Sequence, residues 1–102
     1  MDPELMLLAA QSRIALAELA EASGLTRAEL IELVEYGAFA PQGAAPEQWT
    51  FPAAALVQAR VASRLRADFE LEPASLALLL AYRERINELE TLVRELECQL
   101  LR

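Results

Sequence analysis

Histidine and lysine are both absent from this 102-residue chain, and cysteine occurs once, at Cys98. Without histidine the usual general base and the commonest metal ligand are gone together. A single thiol cannot form an internal disulfide, which fits a reducing cytoplasm. No apolar run reaches the roughly 18 residues a membrane span needs. Met1-Asp2-Pro3-Glu4 also lacks the basic start of a signal peptide, so the expected location is cytoplasmic. No Gly-rich phosphate loop, nucleophile–base pair or metal-ligand cluster can be assembled. The expectation is a non-enzyme with no cofactor and no metal. Positive charge is scarce too: nine arginines face sixteen acidic residues, for a formal net charge of -7. A nucleic-acid binder needs a basic stripe to neutralise phosphates and release their counterions. Specific DNA binding is therefore not expected, and an acidic chain is steered towards basic partners.

What is plentiful is Ala, Leu, Glu and Arg. All are strong helix formers, and β-branched residues are few. The fold class expected is mainly α, and the length suits one compact domain plus an extra helix. Residues 1–12 read as an N-terminal arm, within which the short apolar run 5–10 fits a strand or an ordered arm. Leu16, Leu19 and Ala20 fit a short helix stopped by Gly24. Thr26 with Glu29 forms a capping box for a second helix, which carries Leu30, Leu33 and Val34 on one face and ends at Gly37. Helix, tight turn and capped helix make a helix-turn-helix.

Further on, Ala38 to Pro41 should be extended, residues 42–47 a loop, and Trp49-Thr50-Phe51 a strand. Together they predict a β-hairpin wing, with Trp49 and Phe51 on one side packing on the helical core. Pro52 is placed to open a third helix. That helix carries Val57, Val61, Leu65 and Phe69 along one side, and an ion-pair ladder of Arg60, Arg64 and Asp68 beside it. Pro73 marks the next break, which bounds a winged helix-turn-helix domain at 13–73.

From Ala74 to Arg102 there is neither Gly nor Pro. Leu79, Ile86, Val93 and Leu100 fall at heptad position a; Tyr82, Leu89 and Leu96 fall at d. Residues 74–102 thus read as a coiled-coil helix, roughly 40 Å long, whose seam needs a partner. Homodimerisation through these seven residues is expected; the other reading is that the helix folds back on its own domain. Orientation stays open: Arg85 and Glu90 suit a parallel pair, Arg83 and Glu97 an antiparallel one. Leu78, Leu92 and Leu101 lie off the seam and suggest packing against a neighbouring subunit. Cys98 falls on the solvent side, at position f.

The order of these elements resembles the MerR-type regulators over residues 13–102. More closely, the chain resembles the chaperone-modulator branch called CbpM. The stretches that carry this are Ser23-Gly24-Leu25 with Glu29-Leu30 and Leu33-Val34, then Trp49-Thr50-Phe51, then Gln58-Ala59-Arg60 to Arg64-Leu65-Arg66 before Leu71-Glu72-Pro73. The resemblance implies a MerR-like winged helix-turn-helix with a small wing and a C-terminal coiled coil. It also implies a function: binding the J-domain of a DnaJ/CbpA-type co-chaperone and inhibiting its work with DnaK. The alternative is a MerR-type DNA-binding transcription regulator. Such regulators place a basic and an aromatic residue in the second helix, where this chain has Ile31 and Glu32, and an arginine in the wing strand, where it has Trp49. With Leu30, Leu33 and Val34 inward, about 100° per residue puts Ala28, Glu29, Glu32, Glu35 and Tyr36 outward. Glu29, Glu32, Glu35 and Tyr36 are the candidate partner-binding residues. The other reading of the glutamates is a solvated helix face, and of Tyr36, packing under the wing.

Overall fold

The structure is a computed structural model that describes residues 12–101. The N-terminal arm expected over residues 1–12 lies outside this range except for Ser12, whose carbonyl accepts the Ala53 N–H at 2.9 Å. Strand β1 (Arg13–Ala15) runs directly into helix α1 (Leu16–Ser23). That helix stops where Gly24 takes a left-handed conformation, φ 88°, and its N–H returns to the Ala20 carbonyl at 3.1 Å. Helix α2 (Arg27–Glu35) starts with the capping box read from the sequence. The Glu29 N–H donates to Thr26 Oγ1 at 3.1 Å, and the Thr26 N–H donates to Glu29 Oε1 at 3.0 Å. At its end Gly37 adopts φ 83°, and the Ala38 N–H closes onto the Leu33 carbonyl at 2.8 Å.

The wing departs from the expected hairpin. Strand β2 (Thr50–Pro52) pairs antiparallel with β1, with Ile14 opposite Phe51. The segment before the wing loop contributes one bridge, in which Gln42 and Thr50 exchange hydrogen bonds of 3.0 and 2.9 Å. Gly43, at φ 124°, turns the chain immediately after the bridge, and Pro46 opens the next turn, a 3-10 turn over Pro46–Gln48. Arg13 secures the β1–β2 pair, donating to Thr50 Oγ1 at 2.9 Å and to the Thr50 carbonyl at 2.6 Å. Trp49 and Phe39 each meet Phe51 edge-on, with ring centroids 6.3 and 6.2 Å away. The expected packing of the wing aromatics on the core is thus present.

Helix α3 (Ala55–Phe69) begins three residues after Pro52, which closes β2 rather than opening the helix. Its buried face is Ala55, Ala59 and Ala62. The larger stripe at four-residue spacing lies to one side of this face, with Val57 and Phe69 exposed and Val61 and Leu65 partly buried against the edge of the core. Small residues win the core positions because they let α1 approach closely. The Arg60–Arg64–Asp68 ladder does not form among the described residues; Arg60 reaches the Ala22 carbonyl, at 3.5 Å.

Helix α4 (Pro73–Leu100) spans 28 residues, about 42 Å. Leu76, Ala77 and Leu80 are buried, completing a core with Leu19, Leu30, Leu33 and Phe51. From Ala81 to Leu101 every residue is exposed. At about 100° per residue, the side of α4 that carries Leu76, Ala77, Leu80 and Glu84 lies opposite the heptad seam. The helix therefore docks on its own domain by one face at one end and projects the other face outward, giving overall extents of 50 × 33 × 23 Å.

Candidate protein-interaction surface

Two surfaces stand out. The first is the outer face of α2. Helix α2 buries Leu30 and Leu33 and half-buries Ile31 and Val34. The face opposite is left to Ala28, Glu32 and Glu35, all exposed, and Tyr36, 58% exposed, continues it past the helix end. Tyr36 is therefore not packed under the wing. No basic residue occupies the last turn of α2, so its carboxylates add to the negative end of the helix dipole.

Glu29 stands apart from Glu32 and Glu35. Its carboxylate accepts the Thr26 N–H and is bonded to the Arg66 guanidinium of α3, leaving the side chain 23% exposed. Burial pushes its carboxyl up. The hydrogen bonds from Arg66 and Thr26 and the charge of Arg66 outweigh that, so its pKa is lowered from 4.5. Arg66 also donates to the Gly24 carbonyl, at 3.3 Å. One arginine thus ties α3 to both sides of the turn between α1 and α2. Neighbouring positions cannot reveal this pairing, because Arg66 lies 37 residues beyond Glu29. On the wing side, Arg27 pairs with Glu47 at 3.3 Å, both well exposed, and such a pair stabilises little.

The second surface is the α4 seam. Leu79, Tyr82, Ile86, Leu89, Val93, Leu96 and Leu100 are all exposed in the single chain, from 40% at Leu79 to 85% at Leu100. Leu78, Leu92 and Leu101 are exposed as well. A contiguous apolar face of this length is unusual on a solitary helix and marks an association surface. Cys98 is exposed. Among the described residues there is no group of three or more His, Cys, Asp or Glu placed to hold a metal ion. No described helix is long and apolar enough to cross a membrane.

A shallow trough, which the sequence does not announce, lies beside the end of α2, on the side of α4 away from the seam. It is lined by the Gly37–Ala40 turn, Phe51, the first turn of α3 and Glu84 of α4. Its residues come from four separate stretches, so only the fold assembles it.

Comparison with known proteins fits this geometry. Residues 14–98 match the family described as MerR HTH family regulatory protein. The chain is similar to a chaperone modulatory protein CbpM of Coxiella burnetii (strain Dugway 5J108-111), 34% identical over 78% of this chain and 76% of the relative. It is also similar to proteins of the same name from Pseudomonas putida (strain W619), 33% identical over 72% of each chain, and Pseudomonas entomophila (strain L48), 37% identical over 61% of each.

Proposed function

Because the chain belongs to the MerR-type helix-turn-helix family, and within it to the CbpM chaperone modulators, we propose that it binds the J-domain of a DnaJ/CbpA-type co-chaperone and inhibits that protein's work with DnaK. The observation that carries this reading is the outer face of α2. In a DNA-reading helix-turn-helix this face enters the major groove. Here it presents the exposed carboxylates of Glu32 and Glu35, followed by the exposed ring of Tyr36. Carboxylates at that place repel phosphates and attract a basic helix. Glu29 anchors the inner edge of the same face, its charge partly balanced by Arg66. Tyr36 supplies an aromatic group of the kind that dominates interface energetics. The protein acts by covering its partner's surface, without catalysis and without a cofactor. The working unit is a cytoplasmic homodimer joined along the α4 seam, so that two α2 faces are presented at once.

The test is calorimetric titration of the full chain with the cognate J-domain. Glu32→Lys with Glu35→Lys should weaken binding on the order of tenfold or more with unchanged helicity. Wild-type affinity should fall as salt shortens the Debye length from about 10 Å at 0.1 M to about 3 Å at 1 M. The wild-type protein should also suppress co-chaperone stimulation of the DnaK ATPase. No J-domain binding, together with submicromolar sequence-dependent duplex binding, would reverse the reading in favour of a transcription regulator.

A further inference from the structure

The trough beside the end of α2 carries a more specific inference, which rests on the J-domain reading above and names a contact within it. Its floor is apolar and already dry: Phe51 is fully buried, and Phe39 and Ala55 nearly so. Its one charged lining residue is Glu84, which has no ion-pair partner among the described residues. Gln58, also on the rim, donates its amide N–H to the Ala38 carbonyl at 3.1 Å, and its Oε1 accepts no bond among the described residues. The unused side-chain groups at the rim are therefore acceptors. Gly37 and Ala38, which follow the negative end of α2 directly, line the trough, and no basic residue in the last turn of α2 offsets that end. A site with an apolar floor and an acceptor rim suits a side chain with an aliphatic stem and a multiply donating cationic tip. Arginine fits better than lysine, because its planar fork can serve a carboxylate and a second acceptor together.

We propose that this trough seats an arginine from the partner's basic helix, with its stem against Phe39 and Ala55 and its guanidinium between Glu84 and Gln58. The acidic face of α2 draws the helix in, and the trough fixes its register.

The experiment titrates the full chain with the cognate J-domain at about 0.15 M salt, where long-range charge effects are screened beyond about 8 Å. Two variants probe the trough. Glu84→Gln removes the rim charge. Ala54→Leu, at an exposed lining position, fills the trough. Each should weaken binding on the order of tenfold. Glu95→Gln, which removes the same charge farther along α4, should leave binding unchanged. Each J-domain arginine is then changed to glutamine in turn. One such variant should lose as much affinity as Glu84→Gln does, and combining the two should cost little more. If wild type binds while Glu84→Gln and Ala54→Leu bind equally well, the trough stays empty and this inference fails, leaving the J-domain reading intact. If every J-domain arginine variant still weakens fully on Glu84→Gln, the carboxylate acts at long range and the seat is wrong. If the wild-type chain does not bind at all, both readings fall. Circular dichroism of each variant separates lost contact from lost fold.

Discussion

Replacing Arg66 by methionine separates what holds the helix-turn-helix together from what its surface does. The substitution keeps most of the aliphatic stem on α3 and removes two interactions: the charge-assisted bond to Glu29 and the 3.3 Å bond to the Gly24 carbonyl. A hydrogen bond to a charged group contributes about 1.5–3 kcal/mol. The Arg66 and Glu29 side chains remain 31% and 23% exposed, so water recovers part of that, and the lower end, about 1.5 kcal/mol, applies. The bond to Gly24 is exposed and adds about 0.5 kcal/mol. The expected loss is about 2 kcal/mol. For a chain of this size that lowers the melting temperature by about 8–15 °C, read by circular dichroism at 222 nm. The loss should also depend on pH. Glu29 has a folded-state pKa below its unfolded value of 4.5. Its contribution is therefore fully present above pH 4.5 and disappears as pH falls through the lower folded-state value. Wild type and Arg66→Met should differ at neutral pH, and in acid the gap should narrow to about the 0.5 kcal/mol of the bond to Gly24, which does not titrate. A melting shift under 2 °C at pH 7, or a gap that persists undiminished in acid, would refute the assignment of Arg66 and Glu29 as the clamp.

Two further outcomes are expected. Leu89→Asp places a carboxylate on the seam at a position that is 42% exposed in the single chain. The isolated domain should keep its core while the proposed dimer loses several kcal/mol, more than a hundredfold in dissociation constant. Sedimentation or light scattering at tens of micromolar checks this, and a monomeric wild type under those conditions contradicts it. Gly24→Ala forces a Cβ onto a residue at φ 88° and sets it 2.9 Å from Ser63 Oγ. Urea unfolding should show a loss of about 1–3 kcal/mol. Adding Ser63→Ala should recover the steric part and leave the backbone part, whereas an undiminished midpoint in Gly24→Ala would show that the turn does not need glycine.

The local features of the fold were readable because each depends on residues within one turn of each other. Thr26 and Glu29 define the α2 start by themselves, and the left-handed ends at Gly24 and Gly37 follow from glycine's lack of a side chain. The exposure of Glu32, Glu35 and Tyr36 follows from helical periodicity once Leu30 and Leu33 are placed inside. Features that join distant segments were not readable. Trp49-Thr50-Phe51 has enough strand character to be found, one residue ahead of the observed strand, but nothing nearby says that Thr50 to Pro52 pairs with Arg13-Ile14-Ala15. The Glu29–Arg66 clamp and the trough around Glu84 have the same difficulty. Helix α3 misleads for a different reason. Its largest apolar side chains form an orderly stripe, yet the core takes Ala55, Ala59 and Ala62, since close helix packing selects for small volume.

Helix α4 acts as a ruler. It is gripped by the domain on one face, offers its seam on the other, and runs from Ala74 without a glycine or proline to bend it. Distance and azimuth along it are therefore fixed by residue count. Removing seven residues beyond Glu84 would draw whatever sits on the seam about 10 Å closer to the domain and change its facing by only about 20°. Removing two would shorten the reach by about 3 Å but swing the facing by about 200°. Spacing along this helix is thus adjustable in steps near a whole number of turns, about seven or eleven residues, while a change of one or two residues turns the domain away from its former direction.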